Sequence, residues 1–137
     1  LPTKGTVFIS VKDRDKPAMI EIGRNLVAMG FSLIATGGTQ RFLESEGLPI
    51  TRINKVLEGR PHVVDAMKNG RVQLVFNTTE GAAAIADSAS IRQSALFGNI
   101  PYYTTVSGAR AAVAAIAALA SGPLEVAPLQ SYFKRGF

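Results

Sequence analysis

The chain has 137 residues and no cysteine, which excludes disulfides, thiolate metal sites and cysteine nucleophiles. A single His and no Trp leave zinc ligation and a His-centred triad almost without parts, so no metal and no catalytic residue is assigned. Fifteen Lys and Arg against ten Asp and Glu give +5, but no basic cluster exceeds the mixed run from Lys12 to Lys16, and no aromatics are interleaved with it, which argues against nucleic acid.

Apolar strands alternate with helical patterns along the whole length. Residues 6–11 (TVFISV) read as a strand too continuous in its apolar residues for a half-exposed edge. A helix follows over 16–29, with Asp15 as cap, Pro17 in the first turn and Gly30 past the end. Residues 31–35 form a second strand, the run Thr36-Gly37-Gly38-Thr39 a turn, 40–46 a short helix stopped by Gly47, and 49–53 a third strand. After a polar loop over 54–60, Pro61 opens a helix closed by Gly70. Residues 72–76 are the most strand-like run, 77–81 a polar turn, 87–97 a helix, and 101–106 a last strand. An Ala-rich helix over 107–120 is expected to stop at Ser121-Gly122-Pro123, and its uncharged stretch is too short and too Ala-rich to span a bilayer.

This alternation predicts an α/β fold: a three-layer, doubly wound, mostly parallel five-stranded sheet with helices on both faces. Residues 1–5 read as the end of a linker, 6–128 as a single domain and 129–137 as a tail. The chain lacks an initiating Met and reads as a piece of a larger protein; with no export signal, a cytoplasmic location is expected.

Right-handed crossovers place every strand-to-helix loop on one rim, where ligands of such folds bind. The rim loops carry hydroxyls, amides, glycines and two lysines, Lys16 and Lys55, which is the inventory of an anion site. Thr36, Gly37, Gly38 and Thr39 follow a strand and open a helix, so they form either a phosphate cradle or a tight turn with a Thr cap. Lys16 and Lys55 either converge on one anion or lie solvated. Asn77-Thr78-Thr79 offers uncharged donors to a phosphate, ribose or base, or is a capped turn. Asp87 accepts from a ribose hydroxyl or caps its helix. His62, at a helix start, reads as structural, and Asp13 and Asp15 as cap and salt-bridge partners. Neither a Walker pattern nor G-x-G-x-x-G occurs.

Four runs, Gly5 to Lys16, Ala35 to Thr39, Asn54-Lys-Val-Leu-Glu-Gly-Arg-Pro-His62 and Asn77-Thr-Thr-Glu-Gly81, occur in an order and spacing that resembles the C-terminal allosteric domain of the carbamoyl phosphate synthetase large subunit. That domain is similar in fold to methylglyoxal synthase and to a purine-pathway cyclohydrolase. The resemblance implies a regulatory, non-catalytic module that binds nucleoside monophosphates, UMP as inhibitor and IMP as activator, controlling carbamoyl phosphate synthesis for the pyrimidine and arginine pathways. It implies phosphate contacts from Lys16, Thr36, Gly37, Gly38, Thr39 and Lys55, and ribose or base contacts from Ser10, Asn77, Thr79 and Asp87. It places an ornithine region at Tyr102 and Thr104, although Tyr103 stands where an acidic residue is familiar. The domain itself would need no cofactor. The parent chain would use ATP and Mg, and its partners would be its own ATP-grasp domains and a glutamine amidotransferase small subunit, with neither nucleic acid nor membrane.

The alternative is a small phosphate-eliminating lyase of the methylglyoxal synthase type. Arg60 matches the position of that enzyme's carboxylate base and cannot replace it. The Lys-Thr-x-His segment of the cyclohydrolase is also absent.

Overall fold

Val7, Phe8 and Ile9 are all fully buried, which places apolar side chains on both sides of one strand and requires a sheet covered on both faces. The computed structural model describes residues 1–54, 59, 62–78 and 82–126, with the backbone alone for 82–87 and 121–126. Its elements alternate: β1 (Thr6–Ser10), α1 (Lys16–Ala28), β2 (Ser32–Ala35), α2 (Gly37–Ser45), β3 (Ile50–Arg52), α3 (Val63–Lys68), β4 (Leu74–Asn77), α4 (Ala82–Phe97), β5 (Tyr102–Tyr103) and α5 (Val106–Val126). A 3-10 turn, Asp13–Asp15, joins β1 to α1.

The five strands lie in the order β3-β2-β1-β4-β5, and every pairing is parallel. On one face Val7, Ile9, Leu33, Leu74 and Phe76 pack with Met19, Ile22 and Leu26 of α1, Leu43 of α2 and Ile116 of α5. On the other, Phe8 and Val75 pack with Val63, Val64 and Met67 of α3 and Ile91 and Ala95 of α4. Each fully buried aliphatic or aromatic side chain contributes about 1.5–3 kcal/mol, so the central strand β1 anchors both layers. The chain leaves β1 for β2 on one side and reaches β4 on the other. The switch point of this order therefore lies between the carboxyl ends of β1 and β4, where Ser10 stands opposite Asn77.

The expected sheet and helix layers are present, and the differences are local. The helix expected over 40–46 begins at Gly37, so both glycines belong to its first turn. The helix expected from 87 begins at Ala82, which puts Asp87 inside α4 and removes it as a cap. Pro61 lies outside the described residues, and α3 is started by His62. The His62 Nδ1 accepts from the Asp65 N–H while the Asp65 carboxylate accepts from the His62 N–H, a reciprocal cap that gives His62 a structural role. Asp15 occupies the α1 cap position, but its side chain makes no capping bond, because the preceding 3-10 turn already holds it in helical geometry. α5 runs through Ser121-Gly122-Pro123 to Val126. Gly30 and Gly47, with φ of +97° and +90°, end α1 and α2 in the left-handed region as their positions predicted. Among the described residues no helix is long and apolar enough to cross a membrane. Residues 129–137 lie outside them.

Candidate anion-binding site

At the rim, β2 turns into α2 at Thr36, whose backbone is extended (φ −77°, ψ 163°) before the helix begins. Thr36 is buried and occupies the cap position, yet its hydroxyl makes no capping bond. It lies instead 3.1 Å from the Ser10 hydroxyl, tying the end of β2 to the end of β1. One bond between two hydroxyls uses one of their two protons, so this pair keeps a donor for a ligand. Thr39 is committed differently: its Oγ1 accepts from the Val11 N–H at 3.2 Å and donates to the Val11 carbonyl at 3.4 Å. What Thr39 retains for a ligand is its backbone N–H, in the first turn of α2 with those of Gly37 and Gly38. Such N–H groups have no intrahelical partner and stand at the positive end of the helix dipole.

Lys16 closes one side of this turn. A Cβ placed on Gly38 would lie 3.4 Å from its Nζ, so the absence of a side chain there keeps the ammonium close to the backbone. The same ammonium is hydrogen-bonded to the exposed Asp13 carboxylate. That hydrogen bond, and then the Lys16 charge, hold the Asp13 carboxyl below the usual carboxylate range. The pairing is therefore present above the ordinary Asp pKa and is lost as pH falls through the depressed one. At full exposure it carries little stability.

Across the switch point, Asn77 is buried at the end of β4. Its Nδ2 donates to the Ser88 hydroxyl at 3.0 Å and to the Tyr102 hydroxyl at 2.9 Å. Both amide protons are thus used internally, and Asn77 offers a ligand its Oδ1, an acceptor suited to a ribose hydroxyl rather than to a phosphate. This narrows the donor role expected from the sequence. Asn77→Ala should lower stability by about 1–3 kcal/mol, because the buried Ser88 hydroxyl and the partly buried Tyr102 hydroxyl lose their donor; the midpoint of urea unfolding measures it.

The structure thus brings Ser10, Thr36, Gly37, Gly38, Thr39 and Lys16 together, with Asn77 one strand away. Lys55 and Thr79 lie outside the described residues, and for Asp87 only the helical backbone is described. Tyr102 is joined to Asn77 and faces the Arg92 guanidinium, 5.5 Å from its ring centre. Thr104 is exposed beyond β5, away from the α2 turn.

Thr78 was expected as a donor in a polar turn, and two further neighbours, Arg41 and Arg52, escaped the sequence reading. Thr78 is buried and its Oγ1 accepts from the Lys12 N–H at 2.9 Å, stitching the β4 exit to the β1 exit. Arg41 and Arg52 carry guanidiniums to Gly37: a Cβ there would lie 3.2 Å from Arg41 Nη1 and 3.5 Å from Arg52 Nε. Arg52 ends β3 opposite Ala35, and its place at the carboxyl end of a strand was the signal available for it.

The MGS-like domain model matches residues 18–104. The chain is 56% identical over 134 residues to the carbamoyl phosphate synthase large chain of Brucella suis biovar 1, and 58% identical over 134 residues to that of Rhizobium meliloti; each match covers 98% of this chain. The Myxococcus xanthus large chain is 52% identical over 132 residues, 96% of this chain. The chain spans about 12% of the length of each of these relatives. Among solved structures, methylglyoxal synthase from Elizabethkingia anophelis aligns with a TM-score of 0.64 at 20% identity, covering 82% of this chain and 79% of that one. ForH aligns with a TM-score of 0.52 at 16% identity, covering 82% and 78%. Those two likenesses concern the fold. With the family model over most of the parallel sheet and large-chain relatives along nearly its whole length, the chain belongs to the MGS-like domain family.

Proposed function

We propose that this domain is the effector-binding module of a carbamoyl phosphate synthase large chain and holds nucleoside monophosphates, UMP as inhibitor and IMP as activator, at the α2 rim. The observation that carries the reading is the convergence of the first turn of α2, the Lys16 ammonium and the Ser10–Thr36 hydroxyl pair on one spot. Backbone N–H groups, a helix dipole and a cation together suit a phosphate. Lys55 would add a second lysine to it. Asn77, through its acceptor oxygen, Thr79 and Asp87 would serve the ribose and base, and Tyr102 and Thr104 mark the ornithine region. The similarity to large chains supports the choice of parent. ATP and Mg would belong to the ATP-grasp domains of that parent, glutamine chemistry to its small subunit, and the working place would be the cytoplasm.

Regulation follows from linkage. An effector shifts a balance of parent states by its differential affinity for them, so two nucleotides sharing one rim act in opposite directions by each preferring a different state. Calorimetric titration of the chain with UMP and with IMP should give saturable binding of each, weakened by Lys55→Ala. Absence of binding, or indifference to that change, counts against the reading. The lyase alternative is supported by the methylglyoxal synthase fold. Turnover of dihydroxyacetone phosphate to methylglyoxal would favour it over effector binding.

A further inference from the structure

Asn77 ends β4 at the switch point, and three elements decide how its side chain is set. Its strand position is in register with Ser10 of β1. α4 brings the buried Ser88, whose hydroxyl accepts from Nδ2 at 3.0 Å, and β5 brings Tyr102, whose hydroxyl accepts from the same nitrogen at 2.9 Å. The Tyr102 ring is itself held by the Arg92 guanidinium of α4, 5.5 Å from its centre. Both amide protons are therefore used, and Oδ1 has no hydrogen bond among the described residues, although Asn77 is only 3% exposed. Nitrogen and oxygen branch apart from Cγ, so with the nitrogen drawn to α4 and β5 the oxygen is turned away from both. Turning the amide over would leave two buried protons to be satisfied in place of one oxygen, and unpaired N–H groups are the rarer arrangement. A buried acceptor left open at the carboxyl end of a strand calls for a partner from outside the chain.

We propose that Ser88 and Tyr102 are positioning residues of this site: by engaging both protons of the Asn77 amide they present its oxygen alone, and so make the site select a ligand with a donating sugar hydroxyl, a ribonucleotide over its deoxy counterpart. The inference rests on the effector reading above and deepens it. The phosphate is common to both kinds of nucleotide and cannot tell them apart. A fixed acceptor can, because a deoxy ligand covers the oxygen and leaves it unpaired. Loss of either positioning hydroxyl frees an amide proton, lets the amide turn and removes the distinction.

The test is calorimetry of the chain with UMP, 2′-deoxy-UMP and 3′-deoxy-UMP, and with ribose 5-phosphate and 2-deoxyribose 5-phosphate, which carry no base. Wild type should bind UMP about three- to tenfold more tightly than one of the deoxy forms, the effect of a single neutral hydrogen bond. Tyr102→Phe and Ser88→Ala should weaken UMP by about that factor and leave the deoxy form nearly unchanged, so that the preference disappears. Ser88→Thr, which keeps the hydroxyl, should retain the preference. Tyr103→Phe removes a hydroxyl from the neighbouring position of β5 and should leave every affinity unchanged. Circular dichroism checks folding, and Tyr102→Phe, at a half-buried position, carries the test if Ser88→Ala is unfolded. Equal affinity of wild type for UMP and both deoxy forms overturns the inference and leaves the effector reading standing, and so does a preference undiminished in Tyr102→Phe. An equal fall in all affinities, deoxy forms included, overturns it too, since the two hydroxyls then act only on the fold. A Tyr102-dependent preference for ribose 5-phosphate in a chain that binds neither UMP nor IMP keeps the positioning and overturns the effector reading. A wild-type chain that binds none of these ligands overturns both.

Discussion

Lys16→Gln should weaken UMP binding by about 10- to 100-fold while leaving the fold in place, the equivalent of the roughly 1.5–3 kcal/mol carried by a hydrogen bond to a charged group. The size follows from the position of the ammonium. It lies against the Gly38 backbone, beside the N–H groups of the first turn of α2, where its charge and the helix dipole act on the same oxygens. Stability should change little, because the one ion-pair partner of Lys16 among the described residues is Asp13, whose carboxylate is exposed to water and screened by it. Calorimetry reads the affinity and thermal unfolding reads the fold. An unchanged affinity would move the phosphate away from α2.

Phe8→Ala should lower the free energy of unfolding by about 3–5 kcal/mol, the range for emptying a buried aromatic site. Phe8 is fully buried in the central strand and forms the middle of the second core, between Val63, Val64 and Met67 of α3 and Ile91 of α4. Its strand neighbours are Ile34 and Val75, held by backbone register, so the cavity cannot close by a simple shift of one side chain. Against a usual total of about 5–15 kcal/mol, the loss should be visible as a large fall in the urea midpoint with an unchanged slope. A loss below about 1 kcal/mol would mean that the α3 and α4 layer contributes little to the native core.

The order of elements and the layers were legible because the sequence carries both period and punctuation. Thr6 to Ile9 is β-branched and apolar without a polar break, and Gly30 and Gly47 stop helices at positions where only a left-handed backbone continues the chain. Helix starts were less legible. Gly37 and Gly38 read as loop by propensity, yet they open α2, since packing of Leu43 into the core fixes the helix and its first turn follows. Asp87 read as a cap because its sequence neighbours are Ala and Ser, which give α4 no marked start.

The site was legible where it depends on loop chemistry and obscure where it depends on distance along the chain. Ser10, Lys16 and the run from Thr36 to Thr39 are marked by residue type at strand ends. The pairing of the Ser10 and Thr36 hydroxyls, 26 residues apart, and the commitment of the Asn77 amide to Ser88 and Tyr102 are visible only once β1, β2, β4 and β5 are aligned. Arg52 escaped for the same reason: an arginine ending a short strand resembles any solvated basic residue until β3 is set beside β2 and its side chain reaches Gly37.

Competition tests the shared rim most directly. IMP is titrated calorimetrically into the chain at increasing fixed concentrations of UMP. One site for both nucleotides predicts that the apparent affinity for IMP falls in proportion to the UMP present, with one nucleotide bound per chain at saturation. Heats and affinity for IMP that stay the same in saturating UMP would contradict it.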